Sequence, residues 1–303
     1  MSGQRILVTG ATGFLGKSIS KSFANRGHQV FKMVRTPPKS DNEISWNPAT
    51  NQIDTKTLND VSPNVVIHLA GENIVGLWTE DKKKRIFESR KKGTELLANA
   101  LNKIDNPPGV FIGASGCSYY GDKLAQPTDE SAPKGTGFFQ DLVQVWESSC
   151  DPLRNNGKTR VSHMRLGLVM DSDGGFLQQV KLPFSLGLGG RIGSGNQYFP
   201  WISLKEVKNI VRFLMENDQC SGAFNATSPQ LITNLELTRA IGKVLNRPTI
   251  FPLPELLLNT ILGKEMSSAT FLADQPIVPT RLQKAGYQFI DSSIEKVLER
   301  ELK

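Results

Sequence analysis

The strongest constraint on the fold is a run of glycines near the N-terminus, VTGATGFLG over residues 8–16. It follows an apolar segment typical of a buried strand, RILVTG over residues 5–10, and precedes a helical pattern. In this context Gly10 allows a tight turn, Gly13 lets the backbone approach a pyrophosphate, and Gly16 lets the helix pack on the strand. The spacing therefore predicts a dinucleotide site at the N-terminus of the first helix.

Strand-like and helix-like segments alternate over the first half of the chain. The predicted strands are 5–10, 29–35, 65–71, 110–116 and 160–170, and the predicted helices between them are 14–27, 79–104 and 137–156. Continuous apolar strands separated by helices indicate an α/β fold with a doubly wound parallel sheet of the Rossmann type.

The pattern changes after residue 170, where glycine-rich segments interrupt it. A helix over 203–217, a short strand over 222–227 and a helix over 233–245 are predicted there. We therefore expect a nucleotide-binding domain over residues 1–170 and a small C-terminal substrate lobe over 171–303, partly interleaved with the main sheet.

Composition excludes several classes of protein. The three cysteines are far apart and form no CxxC pair, so neither a disulfide framework nor a metal site is expected. No apolar run is long enough to span a membrane, and the first strand starts too early to leave room for a signal peptide, which predicts the cytoplasm. The net charge is +7, but the basic block at 81–93 has the spacing of a solvated helix face, so no nucleic-acid partner is expected.

The end of the second strand indicates which nicotinamide cofactor is bound. An acidic side chain there would hold the ribose hydroxyl of NAD and repel a 2′-phosphate. This chain has Val34 and then Arg35, and a guanidinium pairs well with phosphate. The sequence therefore predicts NADP(H) rather than NAD(H).

Several further segments resemble those of one protein family. They are HLAGENI (68–74), the SR of FESR (89–90), RLGLVM (165–170), LPFSLGLGGRIGSGNQYFPW (182–201), FPWISLKEV (199–207) and TRLQKAGYQF (280–289). Together with the glycine turn, they resemble the atypical extended short-chain dehydrogenase/reductases, in the subgroup called the epimerase family and often labelled cell-division-inhibitor-like. The resemblance covers essentially the whole chain.

The resemblance implies a Rossmann sheet, bound NADP(H) and a C-terminal substrate lobe. It assigns cofactor contacts to Gly10, Thr12, Gly13, Phe14, Leu15, Val34, Arg35, Leu69, Ala70 and Gly71. It also implies that Arg90 faces a cofactor phosphate, that Val169 lies near the nicotinamide, and that helices near 79–104 and 137–156 pair two chains in a homodimer.

The usual catalytic groups of the family are absent. Active members use a serine, a tyrosine that transfers the proton, and a lysine that lowers the pKa of the tyrosine. On the family pattern the tyrosine and lysine positions are Phe139 and Val143, and the serine position is near Gly116. Glu147 matches a glutamate often found in the family and supports this register.

Tyr119 is the best substitute proton donor in the sequence. Tyr119 and Lys123 have the catalytic spacing, but Gly121 and Asp122 predict a turn between them, so the two side chains are not expected to share a helix face. His68 and His163 lie in apolar strands and are expected to be core residues. The predicted substrate-pocket residues are Glu72, Asn73, Ser115, Ser118, Tyr198 and Trp201.

Three functions remain open at the level of sequence. The first is an NADP(H)-dependent oxidoreductase that acts on an unidentified small carbonyl or alcohol substrate with a non-standard proton donor. The second is an inactive NADP(H)-sensing or scaffold protein related to cell or organelle division. The third, a sugar-nucleotide epimerase, rests on the family name, and the missing tyrosine and lysine count against it.

Overall fold

Residues 3–303, the part of the chain that the computed structural model describes, contain ten strands and twelve α-helices. The strands are β1 (Arg5–Thr9), β2 (Gln29–Val34), β3 (Glu43–Asn47), β4 (Gln52–Ile53), β5 (Val65–His68), β6 (Val110–Gly116), β7 (Arg160–Leu166), β8 (Leu168–Met170), β9 (Trp201–Ser203) and β10 (Gly222–Ala226). The helices are α1 (Phe14–Ala24), α2 (Thr55–Val61), α3 (Glu80–Lys103), α4 (Phe138–Ser148), α5 (Asp151–Arg154), α6 (Gly175–Ser185), α7 (Leu204–Glu216), α8 (Asn234–Leu245), α9 (Glu255–Leu262), α10 (Lys264–Ala269), α11 (Thr280–Lys284) and α12 (Ile294–Leu302).

Eight of these strands form the main sheet, in the order β10-β7-β6-β5-β1-β2-β3-β4. All neighbours are parallel except β3 and β4. The order of strands reverses between β1 and β5, which opens a crevice at their carboxyl ends, where ligands bind in such sheets. The predicted Rossmann-type fold is confirmed.

The sheet is covered on both faces because successive residues of a strand point to opposite sides. Ile6 and Val8 of β1 belong to a core that includes residues of α1 and α7, whereas Leu7 belongs to a core that includes residues of α3 and α5. β1, β5 and β6 are almost wholly buried, which explains their continuous apolar sequences.

A smaller lobe packs a third core around the two-stranded parallel sheet β8-β9, with contributions from α6, α8, α9 and α12. The chain enters this lobe after β7 and returns to the main sheet in α7 and β10. Both returning elements lie beyond residue 170.

Two predicted elements are interrupted in the structure. The strand predicted over 160–170 is β7 and β8, separated at Gly167, where an added Cβ would lie 2.5 Å from the carbonyl oxygen of Pro200. The helix predicted over 137–156 is α4 and α5, and the second helix restarts with Pro152 in its first turn.

Residues 3–303 lack a membrane-spanning helix, a cluster of metal ligands and a disulfide bond. None of their helices combines the length and the apolar character needed to cross a membrane. They contain no group of three or more side chains able to hold a metal ion. Cys117, Cys150 and Cys220 are buried free thiols.

Candidate cofactor and substrate site

The glycine turn between β1 and α1 has the shape that its spacing predicts. Gly10 has a φ of 67°, which favours glycine, and its carbonyl accepts a hydrogen bond from the Gly13 amide at 3.0 Å. A Cβ on Gly16 would lie 2.1 Å from that same carbonyl oxygen, so helix and strand approach closely. No side chain caps the N-terminus of α1, whose first N–H groups lack intrahelical acceptors. The turn therefore fits an anionic pyrophosphate.

A buried relay fixes the ends of β1 and β5 beside this turn. The Thr9 hydroxyl accepts hydrogen bonds from the Leu69 and Ala70 amides, each at 3.1 Å, so its own proton goes to His68 Nδ1 at 2.8 Å. His68 Nε2 then donates to the Thr94 hydroxyl on α3 at 2.8 Å. Burial lowers the pKa of His68 to about 3, and the imidazole stays neutral. His68 is a core residue, as the sequence predicts.

Arg90 brings a cation to the same crevice. Its guanidinium lies against Gly71, where an added Cβ would be 3.2 Å from Arg90 Cζ, and 4.7 Å from the ring centroid of Trp146. Its hydrogen-bond acceptors are the carbonyl oxygens of Glu72 at 3.0 Å and Ile86 at 3.3 Å. Among residues 3–303 no carboxylate forms an ion pair with Arg90. Burial lowers its pKa to about 10, so a charged group remains to face an anion.

The other predicted cofactor residues gather at this edge of the sheet. Val34 is buried at the end of β2, and the exposed Arg35 follows it. The Phe14 ring packs against Gly174, where an added Cβ would lie 2.1 Å from the ring. Val169 lies half-buried in β8, and its carbonyl is against Gly175. The starts of α1 and α6 are thus adjacent.

The three family catalytic positions meet in space but carry no proton-transferring group. Phe139 and Val143 are buried on α4, and the Phe139 ring lies 4.4 Å from the Trp78 ring, edge to face. An added Cβ on Gly116 would lie 3.8 Å from a methyl of Val143 and 3.2 Å from the Ser118 hydroxyl. The predicted register is consistent with this geometry, and apolar packing has replaced the usual tyrosine and lysine.

Tyr119 lies beside these positions, in a 3-10 turn over Cys117–Tyr120. Its half-buried ring stacks on the Arg165 guanidinium, with 3.4 Å from Cζ to the ring centroid. Gly121, with a φ of 93°, ends the turn, and the exposed Lys123 follows in a left-handed conformation. Tyr119 and Lys123 therefore share no helix face, as the sequence predicts.

The ring of Tyr119 packs on a nearly buried ion pair formed by Glu147 and Arg165. Glu147 accepts hydrogen bonds from the Ser115 hydroxyl at 2.6 Å and from Arg165 Nε and Nη2, each at 2.8 Å. Arg165 Nη1 donates to the Tyr120 hydroxyl at 2.9 Å, which donates to Asn225 Oδ1 at 2.7 Å. Burial is the largest single influence on the pKa of Glu147 and raises it, but the hydrogen bonds from Arg165 and Ser115 and the nearby positive charges together outweigh burial, so the pKa is lowered. The pair is therefore ionised at neutral pH.

The other predicted substrate-pocket residues, Glu72, Asn73, Tyr198 and Trp201, do not lie together in one pocket. The Glu72 carboxylate pairs with Lys82 at 2.8 Å, and Asn73 is exposed and accepts a hydrogen bond from the Val75 amide. Tyr198 is half-buried and lines a cavity of about 400 Å³ together with Lys123, Leu124, Ala125, Gln126, Pro127, Leu231, Asp274 and Pro276. Trp201 is 1% exposed inside the core of the lobe, and its indole N–H donates to the Gln230 carbonyl.

Comparison with known proteins gives the family. Residues 6–138 match the NAD dependent epimerase/dehydratase family, and residues 253–301 match a domain of unknown function, DUF1731. Human epimerase family protein SDR39U1 is 34% identical over 290 residues, which cover 94% of this chain and 95% of the human protein. An epimerase family protein of Mycobacterium bovis is 34% identical over 299 residues, covering 98% and 97%. The chain belongs to the epimerase family.

Solved structures agree with this assignment to the epimerase family. The crystal structure of human SDR39U1 with NADPH matches with a TM-score of 0.88 and 31% identity, covering 98% of this chain and 99% of that one. A nucleoside-diphosphate sugar epimerase from Corynebacterium glutamicum matches with a TM-score of 0.81 and 27% identity, covering 99% of this chain and 58% of the other. The resemblance predicted from the sequence is confirmed.

Proposed function

We propose that this epimerase-family chain binds NADP(H), with the pyrophosphate on the N-terminus of α1 and the 2′-phosphate beside Arg35. The observation that carries the proposal is the uncapped helix start behind Gly10 and Gly13, flanked by the cations Arg35 and Arg90. The NADPH complex of human SDR39U1, which matches 98% of this chain, supports it.

Calorimetric titration with NADPH and NADH tests this proposal. Arg35→Glu should weaken NADPH binding about 10- to 100-fold, because a hydrogen-bonded charge is lost, and should leave NADH binding nearly unchanged. Arg26→Glu is the matched control, since Arg26 is also exposed but lies beyond the C-terminal end of α1, away from the glycine turn. An unchanged ratio of the two affinities in Arg35→Glu would show that Arg35 does not select the cofactor.

We infer further that the protein is an oxidoreductase in which Tyr119 supplies the proton. When bound, the cofactor supplies the hydride, so the protein must orient a carbonyl and deliver a proton. Tyr119 is half-buried beside the apolar positions that replace the family's tyrosine and lysine, and its ring is held on Arg165. The neighbouring Tyr120 is buried, and its hydroxyl is already engaged by Arg165 and Asn225.

The reaction is tested by NADPH consumption with a panel of small aldehydes and ketones. Tyr119→Phe should lower turnover about 10²- to 10⁴-fold, the usual contribution of a general acid, and leave NADPH affinity unchanged. Tyr287→Phe removes the same hydroxyl from a buried tyrosine that donates a hydrogen bond to Glu206 on α7, away from the predicted site residues, and serves as the control. Full activity of Tyr119→Phe would rule out Tyr119 as the donor.

The second candidate is a protein that binds NADP(H) without turnover. Its support is the packing of Phe139 on Trp78 and of Val143 beside Gly116, which fills the usual catalytic positions with apolar groups. Tight NADPH binding without consumption by any carbonyl of the panel would favour this sensing or scaffold role. Conversion of a UDP-sugar, measured by product analysis, would instead favour the epimerase.

A further inference from the structure

The C-terminal lobe exposes an unusual number of large apolar side chains. Leu256 is 80% exposed and Ile250 is 72% exposed, so both protrude from the surface and do not line a groove. We call the whole set the apolar ridge: Leu182, Leu186, Leu188, Ile250, Phe251, Leu256, Leu257 and Ile261. Isolated exposed leucines are ordinary, but a contiguous set of this size marks an interaction surface.

Contacts between backbone segments bring the two parts of the ridge, residues 182–188 and 250–261, close together. The segment that ends α6 lies along the segment before α9: Arg247 Nε donates to the Ser185 carbonyl at 2.8 Å, and the Leu253 amide donates to the Arg191 carbonyl at 2.8 Å. Between them, an added Cβ on Gly190 would lie 1.9 Å from the Phe251 carbonyl oxygen. α9 begins directly after this pairing and carries the remaining ridge residues.

The two segments that carry the ridge contain more basic than acidic residues. Residues 181–191 and 239–264 contain a single acidic residue, Glu255, and these basic residues: Lys181, Arg191, Arg239, Lys243, Arg247 and Lys264. Arg239, Lys243 and Arg247, here called the basic flank, are exposed around one shallow depression next to Pro248. None of the three forms an ion pair with another residue of 3–303, although the Glu236 carboxylate lies near Arg239 and the Glu295 carboxylate lies near Lys243.

We propose that the apolar ridge and the basic flank bind the surface of an anionic membrane. Protruding apolar side chains enter the boundary between headgroups and acyl chains, and neighbouring lysines and arginines attract anionic lipids. A second copy of this chain fits the same face less well, because a two-fold contact would bring two basic surfaces together. The proposal concerns where the protein binds and is independent of its reaction.

Co-sedimentation of the full chain with vesicles tests the proposal. The protein should bind vesicles of phosphatidylcholine with phosphatidylglycerol, bind pure phosphatidylcholine vesicles weakly, and dissociate as salt is raised. Arg239→Gln/Lys243→Gln/Arg247→Gln should weaken binding to the anionic vesicles by about 100-fold, at roughly fivefold per charge. Leu256→Ser/Leu257→Ser should weaken binding roughly tenfold or more, because the inserted apolar surface is lost.

A charge-matched control distinguishes this surface from the net charge of the protein. Lys84→Gln/Lys91→Gln/Lys103→Gln removes three exposed cations from α3 and should leave vesicle binding unchanged. NADPH affinity and thermal unfolding of every variant report whether it is folded. The proposal is overturned if the wild-type protein does not bind anionic vesicles, or if the α3 control loses as much vesicle binding as the basic-flank variant. It is also overturned if Leu256→Ser/Leu257→Ser keeps vesicle binding and abolishes only a self-association measured by sedimentation velocity.

Discussion

Replacing Glu147 with glutamine removes one charge from the pair that supports Tyr119 while keeping the size of the side chain. Glu147 now accepts two hydrogen bonds from Arg165 and one from Ser115. The amide of glutamine has a single oxygen, and its NH2 group would face a guanidinium N–H. Arg165 is 5% exposed and would keep its charge without a carboxylate partner.

The magnitude follows from that burial. Leaving one partner of a buried ion pair unpaired costs about 3–5 kcal/mol. The unfolding entropy of 303 residues is about 640 cal/mol/K, at about 2.1 cal/mol/K per residue, so each kcal/mol lowers the midpoint by about 1.6 °C. We therefore expect Glu147→Gln to unfold about 5–8 °C below the wild type at neutral pH.

A double-mutant cycle is the assay, with Arg165→Met as the second single variant. Each single variant leaves one buried charge, whereas Glu147→Gln/Arg165→Met leaves none. The double variant should lose less stability than the two single losses added together, by about 2 kcal/mol or more, because the penalty of an unpaired charge disappears. Chemical unfolding at several pH values measures all four proteins.

The pH dependence gives an independent check with a defined sign. The pKa of Glu147 is lowered in the folded protein, so its contribution is present above the ordinary value of 4.5 and is lost as pH falls through the lower folded value. The difference between wild type and Glu147→Gln should therefore be constant above pH 4.5 and narrow below it. Additive single losses, or a difference that is the same at every pH, would refute the idea that the pair acts as a desolvated unit.

Two further predictions concern the cofactor edge and the core. Gly16→Ala places a Cβ 2.1 Å from the Gly10 carbonyl oxygen, so α1 must move away from β1. We therefore expect NADPH affinity, measured by calorimetry, to fall at least tenfold. An unchanged affinity would show that the turn tolerates the shift. Burial lowers the pKa of His68 to about 3 and of His163 to about 4, from 6.5. As the pH falls, these histidines bind protons in the unfolded chain before they do so in the folded protein. The free energy of unfolding should therefore decrease below pH 6.5 by up to about 1.4 kcal/mol per pH unit for each histidine. A free energy of unfolding that stays constant between pH 6.5 and 5, measured by chemical unfolding, would contradict their burial.

Local signals in the sequence predicted the glycine turn and the long strands correctly. The spacing of Gly10, Gly13 and Gly16 specifies a turn within nine residues, and the structure has that turn. The long apolar strands were placed within a few residues of their observed ends, because burial on both faces leaves a continuous pattern. The short β3 and β4 gave no comparable signal and were not predicted.

The charge pair at the candidate site was missed because it depends on tertiary contact. Glu147 lies on α4 and Arg165 on β7, and only the packed fold brings them together. One signal was present: Arg165 lies near the end of a strand predicted to be buried, and a buried arginine requires a partner. The prediction that Trp201 lines the substrate pocket differs from the structure for another reason. No local pattern shows which side of the three-residue β9 faces the core of the lobe.

The late return of the chain to the main sheet sets an order of events during synthesis. Ser162 of β7 pairs with Gly222 of β10, 60 residues further along the chain. At about 5–20 residues per second, the ribosome needs roughly 3 to 12 seconds to add that interval. Throughout it, the outer edge of β7 has unpaired backbone groups that another strand is able to join. While the ribosome synthesises the lobe, the edge of β7 in the nascent chain is therefore able to pair with a wrong strand. We expect the nascent chain to need chaperones most before residue 222 leaves the ribosome.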